Sequence, residues 1–156
     1  GPYRGAKQCL FEGGIRVPAA ITWPNRIPKG AVRDQFAVNA DWMPTLAELC
    51  GIKLDTEELD GKSLLPVINN SKIGSLHSEV FCWQFGKMWA ARKGKWKLLG
   101  NPYDTSNRDY TFTKKRFLVN LEEDLGESKN LAEEHPEIVA QLEQQYEKWL
   151  INNNRN

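Results

Sequence analysis

The chain has 156 residues, 40% of them hydrophobic and 26% charged, with a net charge of +1. That makeup suits a globular chain with room for one compact domain or two small ones. The balanced charge gives no strong pull toward nucleic acid or an anionic membrane, and no apolar run approaches bilayer-spanning length. No apolar segment follows Gly1-Pro2-Tyr3-Arg4, so no signal peptide is visible, which says little where a chain begins inside a longer one.

The first informative stretch is Gly5-Ala6-Lys7-Gln8-Cys9-Leu10-Phe11-Glu12-Gly13-Gly14-Ile15-Arg16-Val17-Pro18. Its paired glycines suggest a tight backbone bend. Glu12 and Arg16 flank that bend, and with two glycines between them no helical pairing is assumed. An ion pair between them, or backbone hydrogen bonds, would brace the bend and position Lys7, which gives both a supporting structural role. Read from the residues alone, Lys7 is a surface lysine.

Ile15 to Trp23 is an apolar run rich in β-formers, stopped by Trp23-Pro24-Asn25, and predicts a strand buried on both faces. Ile27-Pro28-Lys29-Gly30 reads as a turn and Phe36-Ala37-Val38 as a second short strand. A helix is predicted from Asp41 to Cys50, with Asp41 as its cap, Pro44 in the first turn and Gly51 as its end. Trp42, Met43, Leu46, Leu49 and Cys50 share one face of it at helical spacing. Asp60-Gly61 is a turn signal, and residues 69 to 78 read as a linker.

The texture then changes. Val80 to Trp83, Met88 to Arg92, Trp96 to Leu99 and Phe117 to Leu121 are short β-prone segments separated by turn residues, which argues for an antiparallel sheet of about four strands. A last helix from about Pro136 to Ile151 carries the stripe Ile138, Val139, Leu142, Tyr146, Trp149 and Leu150, and should cover one face of the sheet.

The titratable residues offer few sites. Cys9, Cys50 and Cys82 are odd in number and far apart, and read as three small core residues. His77 and His135 read as solvated, and two scattered histidines make no zinc site. The acidic run Glu122-Glu123-Asp124 reads as a solvated turn, as does the basic run Lys114-Lys115-Arg116. No metal ligands are assigned. Trp83, Phe85, Trp89 and Trp96 are core aromatics first, although aromatic faces also stack on sugar rings.

The first stretch resembles the C-terminal signature of the type I sulfatases, the arylsulfatase-like, formylglycine-dependent family: a lysine five residues before Glu-Gly-Gly-hydrophobic-Arg-x-Pro. Further landmarks follow in family order. Asp41-Trp42-Met43-Pro44-Thr45-Leu46 is similar to Asp-x-x-Pro-Thr-Leu, and Asp60-Gly61-Lys62-Ser63-Leu64 to Asp-Gly-x-Ser-Leu. Ala91-Arg92-Lys93-Gly94-Lys95-Trp96-Lys97-Leu98 is similar to the family's Gly-x-Trp-Lys hairpin. Leu121 to Leu131 is similar to Leu-x-x-Asp-Pro-x-Glu-x-x-Asn-Leu, with Leu125 where proline is usual.

The resemblance implies an α+β chain: residues 1–75 as the tail of an alkaline-phosphatase-like α/β catalytic domain, and 76–156 as the C-terminal subdomain with a small antiparallel sheet packed by its helix. It implies hydrolysis of aryl or carbohydrate sulfate esters to alcohol and sulfate, with Lys7 as the catalytic and sulfate-contacting residue and Trp83 as a second substrate contact. The family's cofactors are formylglycine, made from a Cys/Ser-x-Pro/Ala-x-Arg motif, and calcium. Neither is assigned to these residues, because no cysteine or serine here fits the motif and the family's calcium-binding Asp-Asn pair lies upstream of the lysine.

The chain is therefore expected to be a C-terminal fragment, inactive by itself. Its expected partners are a sulfated small molecule or glycan, the missing N-terminal catalytic part and other copies of itself, and not nucleic acid or membrane. An extracytoplasmic location follows from the resemblance. The alternative is a non-catalytic, sulfatase-derived module that binds sulfated carbohydrate or a protein partner.

Overall fold

The computed structural model describes residues 1–55, 59–107 and 114–153. The chain forms two compact units: Gly1–Pro18 together with Glu79–Asn156, and Ala19–Ser78. Residues 1–18, grouped on sequence with the segment that follows them, thus share a unit with the C-terminal half.

The first unit is built on a four-stranded antiparallel sheet in the order β1-β2-β3-β4, with β1 at Phe81–Phe85, β2 at Met88–Lys93, β3 at Trp96–Gly100 and β4 at Arg116–Asn120. The strands fall where the β-prone segments predicted them. Because side chains alternate between faces, Cys82, Trp89, Ala91, Leu98 and Leu118 point one way. They meet the last helix, Pro136–Asn153, through Leu142 and Tyr146, with Ile138, Val139, Trp149 and Leu150 at the margin. Tyr146 stacks on Trp89 at 4.2 Å between ring centroids, 6° from parallel.

The opposite face carries Ala90, Leu99, Phe117 and Val119, and it is covered by Cys9, Leu10 and Phe11. Phe11 is fully buried, edge-on to Phe117 at 5.6 Å. The sheet is therefore a middle layer, and its second cover comes from the N-terminal stretch, about a hundred residues away in sequence. At the outer edge of β4, Asn130 stands in for a neighbouring strand. Its side chain accepts from the Leu118 amide at 3.0 Å and donates to the Arg116 carbonyl at 2.9 Å, while the Leu131 amide donates to the Leu118 carbonyl.

The second unit contains a 3-10 turn, Asn39–Asp41, and two short helices, Trp42–Leu49 and Leu65–Asn69. Here several expectations fail. Residues 16–23 form no strand, and Val17 is 75% exposed. Phe36-Ala37-Val38 forms no strand either. An apolar run becomes a buried strand only beside partners that complete its ladder and cover its faces; residues 16–18, which belong to the first unit, do not join its sheet, and the described residues of the second unit include no strand to pair with 19–23. The helix appears as predicted, but its buried residues are Pro44, Thr45 and Ala47, whereas Met43 and Leu46 of the predicted inner face are 60% and 51% exposed. Cys50, expected in a core, is exposed. A largely apolar hollow of about 340 Å³, lined by Ile21, Phe36, Trp42, Leu64 and Val67 among others, opens in this unit.

His77 is also not solvated. Its side chain is 6% exposed, and its Nε2 lies 2.8 Å from Asp41 Oδ1. Asp41 does not cap the helix after it with its side chain; its carboxylate accepts from the Val38 and Lys62 amides and meets His77. The predicted linker is likewise tied down: Gln35 donates to the Ser71 and Ile73 carbonyls, and Ser75 Oγ donates to the Phe36 carbonyl.

If residues 9–11 are a true layer of the core, Phe11→Ala should destabilise the chain by about 3–5 kcal/mol. Urea denaturation followed by tryptophan fluorescence reads this directly, and a loss below about 1 kcal/mol, the scale of an ordinary exposed substitution, would show that the second face is not a packed core.

Candidate functional site

The segment that carries Lys7 is held from several directions. Gly5 and Gln8 have φ of 81° and 73°, so the chain turns left-handed on both sides of the lysine. Such a turn is unfavourable for Gln8 and needs outside support. Gly13 and Gly14 supply part of it by having no side chain: a Cβ at Gly13 would lie 2.4 Å from the Gly5 carbonyl oxygen, and one at Gly14 2.3 Å from that of Cys9. The Gly13 amide donates to the Arg4 carbonyl at 2.7 Å. The tight bend expected of the paired glycines is thus a close approach of two backbone segments, and it includes a single helical turn, Glu12–Ile15.

The loop after β3 adds the rest. Thr105 Oγ1 accepts from the Ala6 amide at 3.1 Å and donates to the Ala6 carbonyl at 3.0 Å. Ser106 Oγ accepts from the Gly5 amide at 3.3 Å. Asp104 pairs with Arg4 at 2.7 Å and accepts from both the amide and the hydroxyl of Ser106. Burial raises the Asp104 carboxyl, but the Ser106 hydroxyl and the Arg4 guanidinium more than offset this and hold it below its ordinary value of 3.8. Arg4 also donates to the Glu127 carbonyl and lies over the Phe11 ring at 4.8 Å.

Beneath this turn sits a buried charge cluster that sequence reasoning missed. Lys97, fully buried on β3, donates to Glu12 Oε1 at 2.8 Å and to Glu127 Oε1 at 2.9 Å. The second oxygen of Glu127 accepts the Glu12 amide at 2.5 Å. Burial pushes the Glu127 carboxyl up, opposed by the Lys97 charge and the Glu12 amide. Burial also lowers the nearby Arg92 guanidinium, against the fields of Glu12 and Glu127. The signal was present in sequence, since Lys97 shares its strand face with Leu99, but a lone lysine is read by default as solvated.

Glu12 is therefore braced chiefly by Lys97. Arg16, the expected partner, is 3.9 Å away with a side chain 42% exposed, and it lies over the Tyr3 ring. Lys7 is exposed, and its ammonium makes no hydrogen bond or ion pair among the described residues. Trp83 is half-buried on β1, 4.8 Å from the Phe81 ring, on the sheet face that Cys9–Phe11 covers. No cluster of three or more His, Cys, Asp or Glu suited to a metal occurs among the described residues. The buried carboxylates are committed elsewhere: Glu12 and Glu127 to Lys97, Asp41 to His77 and two amides, Asp104 to Arg4 and Ser106.

Residues 5–152 match the family described as N-sulphoglucosamine sulphohydrolase, C-terminal. The chain is 31% identical to a sulfatase of Formosa agariphila over 98% of its own length and 30% of that protein's. It is 30% identical to arylsulfatase A of Bos taurus over 90% of its length and 31% of that protein's. Among solved structures, Ps i-CgsB in complex with k-i-k-neocarrahexaose superposes with a TM-score of 0.78 at 25% identity, covering 95% of this chain and 32% of that one. A Bacteroides thetaiotaomicron protein, from work on the metabolism of multiple glycosaminoglycans, superposes at 0.71 and 25% identity, over 94% of this chain and 32% of that one. The chain thus spans about a third of the length of these relatives.

Two outcomes follow from the geometry. Lys97→Met leaves two buried carboxylates without their cation and should cost about 3–5 kcal/mol, much of it recovered when Glu12→Gln and Glu127→Gln are added; a neutral Lys97→Met in urea denaturation would contradict the triad. Asp104 has a folded pKa below its unfolded value, so its stabilisation is present above about 3.8 and lost as pH falls through the folded value. Asp104→Asn should therefore flatten the acid limb of stability below that pH, whereas parallel limbs for the two proteins would remove Asp104 from the account.

Proposed function

Because the chain belongs to the sulfatase family, of which it is the C-terminal portion, we propose that it completes an enzyme that hydrolyses sulfate esters to alcohol and sulfate, with Lys7 contacting the sulfate. The observation that carries this reading is the contrast between the Lys7 mount and the Lys7 ammonium. The mount is fixed by two glycine close approaches, a threonine clamp and an ion pair. The ammonium at its tip is exposed and has no partner among the described residues. A charge held in a prearranged place, without a protein counter-ion to displace, suits an incoming anion. Negative charge grows on the leaving and sulfuryl oxygens as the ester breaks, and a fixed ammonium there favours the transition state over the ground state. Lysine supplies a compact charge with three donors.

The substrate class we favour is a sulfated carbohydrate, supported by the likeness to structures solved with a neocarrahexaose and in work on glycosaminoglycans. Trp83 is the aromatic we assign to a sugar face. Calcium and formylglycine do not fit the residues present, whose buried carboxylates are already paired and whose cysteines and serines lie outside the modification motif. We assign both to the remaining two-thirds of the enzyme, together with the covering of Val17, Met43 and Leu46, and we derive no step through them. By this reading the 156 residues alone are inactive and the whole enzyme works outside the cytoplasm. Among the described residues, no helix is long and apolar enough to cross a membrane.

In the full-length protein, Lys7→Ala should lower turnover by about 10²–10³-fold, with an unchanged melting temperature because the side chain is exposed. Near-normal hydrolysis of 4-nitrophenyl sulfate and sulfated oligosaccharides by that variant would reduce Lys7 to a surface residue, whereas no hydrolysis by the parent full-length protein would favour the non-catalytic, carbohydrate-binding reading.

A further inference from the structure

We propose that Thr105 is a positioning residue for Lys7: a single hydroxyl on the loop after β3 fixes the peptide that leads into the lysine, and with it the place of the ammonium. The inference rests on the reading of Lys7 given above and adds to it a residue outside the Lys7 stretch. Thr105 Oγ1 engages both backbone groups of Ala6, accepting from its amide at 3.1 Å and donating to its carbonyl at 3.0 Å. That satisfies a peptide in a non-repetitive turn as a neighbouring strand would. The two residues are 99 apart in sequence, so the bond ties the turn to the end of the sheet.

The clamp has its own support. Asp104 is buried, holds Arg4 at 2.7 Å, and accepts from the Ser106 amide and hydroxyl at 2.9 and 2.6 Å. Ser106 Oγ in turn accepts from the Gly5 amide. Arg4, Gly5 and Ala6 are thus each held by the matching member of Asp104, Ser106 and Thr105. The next hold comes from Cys9, whose Sγ contacts the Ala6 carbonyl at 3.1 Å. Between them lie Lys7 and Gln8, the latter in a left-handed conformation at φ 73°. Without the Thr105 hydroxyl, Gly5 and Ala6 keep, among the described residues, the Ser106 bond at the Gly5 amide and the thiol at the Ala6 carbonyl, and the next hold back along the chain is at Arg4.

Thr105 is half-exposed and absent from both apolar clusters. Its hydroxyl therefore governs where the turn sits more than whether the sheet folds. A displacement of about 1 Å in a catalytic group can lower turnover by about 10²-fold.

A double-mutant cycle in the full-length protein, assayed with 4-nitrophenyl sulfate, tests this together with amide exchange on the 156-residue chain. Thr105→Val, nearly isosteric but without the hydroxyl, should lower kcat by about 10-fold or more while leaving the melting temperature close to that of the parent. Thr105→Ser should restore most of the loss. Because Thr105 acts through Lys7, adding Thr105→Val to Lys7→Ala should cause no further loss. In the chain alone, the Ala6 amide should lose protection in Thr105→Val and keep it in Thr105→Ser.

An equal Thr105→Val loss in both backgrounds, unaltered turnover in Thr105→Val, or unchanged Ala6 exchange would each overturn the proposal. If Lys7→Ala lowers turnover and Thr105→Val does not, only this inference fails. If Lys7→Ala leaves turnover normal, the reading of Lys7 fails and this inference falls with it.

Discussion

One buried ammonium organises the first compact unit. Lys97 reaches Glu12 in the N-terminal stretch and Glu127 in the turn after β4, so three segments far apart in sequence converge on a single nitrogen. Burying a lysine costs several kcal/mol in lost hydration, and two carboxylates within 3 Å are what make it tolerable. The arrangement is selective as well as stabilising. Sheet side chains alternate, so a one-residue slip of β3 would turn Lys97 toward Tyr146 and Leu142 and strand its charge in an apolar layer. The pair thereby fixes both the register of the strand and the identity of the segment that covers it. Glu127 completes the joint by taking the amide of Glu12, from a left-handed backbone at φ 52° that only a well-held residue keeps.

How much of this the sequence disclosed depended on where each residue's partners lie. The sheet and the last helix were legible because their patterns are local and their apolar faces meet each other within the chain: Leu142 and Tyr146 were read as a stripe, and they cover Trp89 and Leu98. Ile15 to Trp23 carried an equally strong apolar signal, yet composition says only that a run prefers burial and not what buries it, and residues 16–23 pair with no strand among the described residues. Lys97, Glu127 and His77 were illegible for a different reason. Their types are mostly exposed in proteins, and only knowledge of a partner about 30 or more residues away reverses that expectation. Family resemblance pointed to Lys7 and to the glycines that brace it from the same stretch, but not to the rest of its support, since Asp104, Thr105 and Ser106 lie in none of the motifs that carried the resemblance.

Polar side chains take over wherever the backbone ladder stops. Asn130 acts as an extra strand for β4, Thr105 as one for Ala6, and Thr45 Oγ1 joins the Asp41 carbonyl to the Leu64 amide. Each pairs backbone amides and carbonyls in a region too irregular for helix or sheet; those held by Asn130 and Thr45 are buried or partly buried, whereas those of Ala6 are exposed. Within the landmark motifs, Asp41, Thr45 and Asn130 all act on backbone in this way. They shape loops, and the loops then set directions for a few other side chains.

Lys7 is the side chain for which that support matters most. A lysine loses about 2 kcal/mol of rotamer entropy when its side chain is fixed, and a charge buried in advance would also lose its hydration. The structure separates the two burdens. The backbone from Arg4 to Cys9 is fixed at folding by bonds that cost the ammonium nothing, while the ammonium stays in water and keeps its charge. Under the proposed reading, only the last few torsions remain to be settled when an anion arrives. A fully rigid and buried lysine would have needed a counter-ion of its own, as Lys97 does, and that counter-ion would compete with any sulfate. The two lysines thus stand in opposite states: Lys97 is neutralised inside to hold the frame, and Lys7 is exposed with no partner among the described residues, which under the proposed reading leaves the frame a charge to present.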